Sequence, residues 1–171
     1  MLKRTHNCGQ LRLDDAGQKV TLAGWGHSYR DHGNLVFIDL RDREGLTQIV
    51  FNPVAQPDAH KVARTIRCEW IIAAEGVVQP RSEGMANPKL ATGQIEVAVQ
   101  LLEILNTAKT PPFEIDNAEK TGEELRLVNR YLDLRRPEMQ KKLRTRHKVT
   151  MAVRDYFDQL GFWEIETPML A

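Results

Sequence analysis

Arg30, Phe37, Gln48 and Glu96 are the side chains whose types and placement could read a nucleobase. Phe37 lies in the alternating run Leu35–Arg41, and Gln48 in the run Leu46–Phe51. Between them, Asp42-Arg43-Glu44-Gly45 forms a tight connection, with Gly45 suited to a positive-φ position. A turn over residues 42–45 pairs Arg41 with Leu46, Asp39 with Gln48 and Phe37 with Val50. Side chains alternate, so Val36, Ile38 and Leu40 share the core face with Thr47, Ile49 and Phe51. Leu35, Phe37, Asp39, Arg41 and Gln48 take the other face. A ring exposed there can stack on an unpaired base, worth ~1–3 kcal/mol. The Gln48 amide offers a donor and an acceptor to a base edge. Glu96 can accept from an exocyclic amine, and Arg30 can pair with phosphate or stack. The competing reading puts Phe37 in a second apolar patch with Leu35 and Val50, and makes Gln48 and Glu96 ordinary barrel-surface residues.

Other chemistries find no support. There is no Gly-rich phosphate loop, no G-x-S-x-G and no H-E-x-x-H. The 5 histidines lack ligand spacing, and His60 reads as a solvated helix residue without a partner. No catalytic residue and no metal ligand is predicted. The 2 cysteines, Cys8 and Cys68, lack a C-x-x-C pattern and fit a reduced, cytoplasmic chain with neither disulfide nor zinc. No apolar run approaches the ~18 residues of a membrane span, and polar Met1–Gln10 is no secretory signal.

The length of 171 residues allows one full core and part of a second. A net charge of +1 excludes a nucleic-acid-coating polycation. Residues 135–148 nevertheless carry seven basic side chains against Glu138 alone, which is either a polyanion patch or a solvated helix face.

The elements that must hold the candidate residues follow from periodicity. Val20–Trp25 reads as a first strand, followed by a polar stretch His27–Asn34. Asp58 is the expected cap of a helix carrying Ala59, Val62, Ala63 and Ile66. Trp70–Val78 is the fourth strand. Gln94–Leu105 is the fifth, with Ile95, Val97, Val99 and Leu101 on one face and Glu96, Ala98 and Gln100 on the other. The order β-β-β-α-β-β is that of a five-stranded OB barrel, so the fold class is mainly β. Asn106–Pro112 has hinge composition. Thr121-Gly122-Glu123-Glu124 predicts a capping box opening a helix from Glu123 to about Arg135. Pro137 starts a long helix ending near Leu160, with Gly161 as its left-handed cap and Met139, Leu143, Val149, Val153, Tyr156, Phe157 and Leu160 as its apolar stripe. Phe162–Thr167 predicts a strand start, so the chain is expected to be truncated. The expected domains are 1–106, an OB barrel; 107–136, a helical hinge; and 137–171, the start of an α/β domain.

Several runs carry a resemblance. Val20-Thr21-Leu22-x-Gly24-Trp25, Arg30-Asp31-His32-Gly33, Phe37 to Gly45, Ala91-Thr92-Gly93-x-Ile95-Glu96-Val97 and Arg130 to Pro137 resemble the N-terminal domain of bacterial aspartyl-tRNA synthetases. Gly161-Phe162-x-Glu164-Ile165-Glu166-Thr167-Pro168-Met169-Leu170 resembles motif 1 of class II synthetases. The likeness covers nearly the whole chain. The run Tyr131–Pro137 fits the aspartyl branch better than its lysyl sister.

The resemblance implies an anticodon-binding domain, a hinge and the opening of a class II catalytic domain. It implies that Arg30, Phe37, Gln48 and Glu96 contact the anticodon loop, with Phe37 stacking on the central uracil. It places Pro168 in a homodimer interface. The full-length protein would be an aspartate–tRNA ligase using L-aspartate, ATP and Mg²⁺ on tRNA-Asp. The ATP-binding motifs would lie beyond Ala171, leaving this stretch inactive alone. His32 and Gly84 match the relaxed branch, which also charges tRNA-Asn. Ser28 and Tyr29 depart from the usual arginine, which weakens the phosphate contact expected there, and Gly26 replaces a common apolar residue. The alternatives are a stand-alone OB module that binds anticodon loops without catalysis, and a ligase restricted to tRNA-Asp.

Overall fold

The alternating runs form strands β1 (Lys19–His32), β2 (Leu35–Arg41), β3 (Leu46–Phe51), β4 (Ile71–Pro80) and β5 (Ile95–Asn106). In the computed structural model they close a five-stranded OB barrel in the order β1-β2-β3-β5-β4. Only β3 and β5 pair in parallel. The structure describes residues 2–116 and 120–168, which group into two units, Met1–Pro111 and Pro112–Ala171.

The β2–β3 register is the one the turn length dictates: Arg41 opposite Leu46, Asp39 opposite Gln48, Phe37 opposite Val50. Val36, Ile38, Leu40, Thr47, Ile49 and Phe51 are all buried. The first strand runs further than its apolar residues suggest. It pairs with β4 through Trp25 and with β2 from Trp25 to His32, so residues 27–32 of the polar stretch are strand and Gly33-Asn34 form the turn. His27 is the extra residue of a bulge between Gly26 and Ser28, which lets so long a strand bend around the barrel.

Gly24 sits at a close approach. A Cβ there would lie 2.3 Å from the Arg41 carbonyl oxygen. Gly24→Ala is expected to lower stability by about 1–3 kcal/mol. Urea denaturation checks this, and an unchanged midpoint would mean that β2 gives way freely.

The face assignment on β5 fails at one residue. Ile95, Val97 and Val99 are buried, but Leu101 is 48% exposed and Leu102 points inward instead. Glu75 pairs with Leu101 and Gly76 with Val99, so Gln100 is bulged and the alternation shifts by one.

The N-terminal segment was not legible as core, yet Cys8 and Leu11 are fully buried in it. The Cys8 backbone N–H donates to Asp42 Oδ2 at 2.8 Å, and Glu44 and Gly45 N–H donate to Asp42 Oδ1 at 2.7 and 3.1 Å. One carboxylate thus holds both the β2–β3 turn and the N-terminal segment. Burial, and then the Asp42 charge, push the Cys8 thiol well above its ordinary pKa. Cys8 and exposed Cys68 are both free thiols.

Helix α1 (Pro57–Ala63) begins with Pro57 rather than with an Asp58 cap; Gln56 precedes it and Asp58 lies in its first turn. Proline's fixed φ is already helical there and its missing N–H costs nothing. Ala59 and Ala63 face the core, and Ile66 is buried just beyond the helix. His60 is not the partnerless residue expected, because its Nε2 lies 2.8 Å from the Asn34 carbonyl oxygen and ties α1 to the β1–β2 turn.

In the second unit the single helix expected after Thr121 is two short ones, α2 (Glu123–Val128) and α3 (Arg130–Asp133). Gly122, not Thr121, is the N-cap, and no side chain caps it. Asn129 breaks the run: its backbone leaves the helical region at φ −108° and ψ 46°, and its N–H and Nδ2 both donate to the Leu125 carbonyl, at 3.1 and 3.0 Å. Helix α4 (Pro137–Gln159) starts on proline, and Gly161 follows it at φ +79°. Its apolar residues Leu143, Val149, Val153, Tyr156 and Phe157, and Leu160 at its C-cap, are exposed. The strand expected at Phe162–Thr167 is absent among the described residues, since a strand needs a partner and this unit contributes none. Met169, Leu170 and Ala171 lie outside the described residues.

Candidate nucleic-acid interface

The alternation that buries Ile38 turns Phe37 outward. Phe37 is half-buried and belongs to neither apolar cluster. Its partner across β1 is Arg30, and its partner across β3 is Val50. The flanking positions on the same face carry polar groups that bond to one another. Arg30 Nη2 donates to Asp39 Oδ1 at 3.0 Å and Oδ2 at 3.1 Å, and to Gln48 Oε1 at 3.3 Å. The Ser28 hydroxyl also donates to Asp39. Gln48 Nε2 donates to Glu96 Oε2, and Gln79 Nε2 to Glu96 Oε1, each at 2.8 Å.

This chain of bonds corrects the surface reading of two residues. Gln48 is 7% exposed and Glu96 9%, so both are buried polar groups. Such groups persist in folded proteins because each is paired. The pairing also fixes the Gln48 amide: its oxygen faces Arg30 and its nitrogen faces Glu96. One amide proton and one oxygen lone pair remain.

A groove of about 920 Å³ opens over this face and is lined by Arg30, His32, Phe37, Gln48 and Glu96, among others. Leu35 and Val50 line it beside the ring, so the apolar patch and the groove floor are one surface. Arg41 shares the strand face but not the groove. Its guanidinium holds Glu69 through Nη2 at 2.7 and 2.9 Å, and its Nη1 donates to His27 Nδ1 at 2.8 Å. Gly84 is not a lining residue. It sits at φ +77° in an exposed turn, between Ser82 and Met85, which do line the groove. Pro168 is exposed in the second unit.

Arg81 was missed in the sequence. Its Nε donates to the Ile95 carbonyl at 3.0 Å, while its Nη2 is buried without a partner among the described residues. Burial lowers its pKa, Glu96 and Asp39 hold it up, and Arg30 opposes them. The signal was available, because Val77, Gln79 and Arg81 alternate along one face and all three line the groove. Gln79 was missed for the same reason.

Residues 20–105 match the family described as OB-fold nucleic acid binding domain. The chain belongs to this family. Beyond its OB domain, residues 122–171 match tRNA synthetases class II (D, K and N). The chain is 54% identical over 169 residues to an aspartate–tRNA(Asp/Asn) ligase of Protochlamydia amoebophila, covering 98% of this chain and 28% of that protein. It is 56% identical over 169 residues to the ligase of the same name from Moorella thermoacetica, covering 99% of this chain and 28% of that one. It thus spans less than a third of the length of either relative. Among solved structures, an asparaginyl-tRNA synthetase from Pyrococcus horikoshii, complexed with asparaginyl-adenylate, superposes with a TM-score of 0.83 at 26% identity, over 99% of this chain and 37% of that one.

The second unit carries basic charge and a cleft of about 700 Å³ lined by Val153, Arg154, Phe157, Phe162, Trp163 and Glu164, in which Arg154 Nε lies 2.7 Å from Glu164 Oε2. Lys141, Lys142, Arg144, Arg146 and Lys148 are exposed on α4, whereas Arg136 is withdrawn into a buried ion pair with Asp133. Among the described residues, no helix is long and apolar enough to cross a membrane. No group of three or more His, Cys, Asp or Glu side chains among them could hold a metal ion.

Proposed function

We propose that this chain is the anticodon-recognising part of an aspartate–tRNA ligase that acts in the cytoplasm. Residues 1–106 serve as the anticodon-binding domain, 107–136 as a hinge, and 137–171 as the opening of the catalytic domain, with Pro168 contributing to a homodimer interface. The observation that carries the reading is the groove in which an outward ring lies beside a fixed amide and a buried carboxylate. Phe37 stacks on the central pyrimidine of the anticodon. Gln48 presents its remaining donor and acceptor to that base's edge, Glu96 accepts from a neighbouring base, and Arg30 and Arg81 meet the backbone or base acceptors with charged donors.

The full-length enzyme would join L-aspartate to the terminal ribose of tRNA-Asp, using ATP and Mg²⁺. The names of the relatives, together with His32 on the groove and Gly84 beside it, support charging of tRNA-Asn as well. A lysine in place of Gly84 would add a donor and bulk next to the groove, and its absence relaxes discrimination there. The class II match over residues 122–171 disfavours a stand-alone binding module.

Phe37→Ala is expected to weaken binding of an aspartate anticodon hairpin by about 1–3 kcal/mol while leaving the thermal midpoint nearly unchanged. Fluorescence anisotropy with a labelled hairpin measures the first, and circular dichroism the second. Unaltered hairpin affinity would reject the stacking role. Charging assays with the full-length protein test the relaxed specificity, which fails if a tRNA-Asn transcript is not aminoacylated.

A further inference from the structure

The polar network occupies one end of the groove; at the other, next to α1, His32 pairs with Leu35, and the remaining polar side chains have no role yet. Leu35, Asn52 and Gln56 line that end. Leu35 stands one pleat beyond Phe37 along β2, and Asn52 is the first residue after β3; both line the groove. One pleat is about 6.6–6.8 Å, room for the next base in an extended strand.

The polar groups there are unspent, and the Asn52 amide is held in place. Asn52 Oδ1 accepts from Val54 N–H at 2.9 Å and from Ala55 N–H at 3.4 Å, which fixes its amide and leaves both Nδ2 protons unused. The Gln56 backbone N–H donates to the Asn52 carbonyl at 2.9 Å, closing the turn. The half-buried Gln56 side chain does not cap α1 and makes no hydrogen bond among the described residues. Of the other three groove glutamines, Gln48 and Gln79 are committed to Glu96, and Gln100 is exposed at the β5 bulge. Two amides on a locked turn beside an apolar floor are therefore available to a base edge.

We infer that Asn52 and Gln56 form a second nucleotide subsite, with Leu35 as its floor, which reads the base adjoining the one stacked on Phe37. The inference rests on the anticodon reading above and names two residues that set its specificity. Asn52→Asp keeps the acceptor that holds the turn and removes the free donor. Gln56→Leu removes an amide that no hydrogen bond of the fold uses, and it carries the test alone if the aspartate perturbs the turn.

The probe is a set of anticodon-loop RNA hairpins, one intact and the others abasic at a single loop position, titrated against the chain, both variants and Phe37→Ala. Each variant is expected to bind the intact hairpin about three- to tenfold more weakly. That loss should vanish for one abasic hairpin, and this hairpin should differ from the one that abolishes the Phe37→Ala effect. No loss, an equal loss on every hairpin, or coupling to the same position as Phe37 overturns the second subsite while leaving the first intact. A wild-type chain that binds no hairpin, with Phe37→Ala indistinguishable from it, overturns the anticodon reading itself.

Discussion

Asp133→Ala should be the most destabilising single change in the second unit, at about 3–5 kcal/mol. Asp133 is 0% exposed and is surrounded by three arginines. Arg136 Nε donates to its Oδ1 at 2.7 Å, Arg130 Nη1 bonds to Oδ2, and Arg126 Nη1 lies 3.7 Å from Oδ1. These partners are not equivalent. The Arg130 side chain is half exposed and can return to water when the carboxylate goes, so its pair contributes little. Arg136 is 8% exposed and cannot, and most of the penalty is its uncompensated buried charge. Hydrogen exchange should report faster opening of α2 and α3 in the variant, with the barrel amides unaffected. The double change Asp133→Leu with Arg136→Met should recover much of the loss, because no buried charge is then stranded. Unchanged exchange in Asp133→Ala would show that the cluster is hydrated and structurally idle.

The same residue shows what the sequence could not say about this region. Counting charge over residues 135–148 finds a basic face but cannot separate Arg136, withdrawn to a carboxylate, from exposed Lys141 or Arg146. The long α4 was legible because its boundaries are chemical, proline at the start and a glycine at φ +79° after its end. The break at Asn129 was not, since no proline or glycine marks it: an asparagine leaves the helical region there while its N–H and Nδ2 share the Leu125 carbonyl.

In the barrel, the β2–β3 hairpin was fully determined by turn length and alternation, and with it the outward direction of Phe37. Period-two reasoning fails wherever one residue is bulged. Gln100 reverses the phase of β5, so Leu101 was placed inside and Leu102 was not. The candidate site divides along the same line. Phe37 and Gln48 follow from one hairpin. The bonds from Gln48 to Glu96 and from Gln79 to Glu96 join strands far apart in the chain, through barrel closure that no local pattern encodes. Arg41 fails the other way: its face was right, but the guanidinium's choice of Glu69 and His27 is a tertiary fact.

The sharpest check on that hairpin is Ile38→Ala, beside Phe37 in sequence and opposite it in space. Ile38 is fully buried, pairs with Tyr29 on β1 and Ile49 on β3, and stands among the largest enclosed side chains of the barrel. Truncation removes apolar transfer energy and leaves a cavity, together costing about 2–5 kcal/mol. The upper half of that range is expected. Ile38 sits inside unbroken runs of both ladders, Ser28 to His32 on β1 and Leu46 to Phe51 on β3, so the walls cannot close on the void as a loop could. In urea the midpoint should fall with the slope unchanged, while hairpin affinity measured on the folded fraction stays close to wild type. Phe37→Ala should show the opposite pattern, with affinity lost and stability kept. Exchanged outcomes, Phe37→Ala melting the barrel and Ile38→Ala sparing it, would place the phenylalanine ring in the core and remove the physical basis for base stacking on this face.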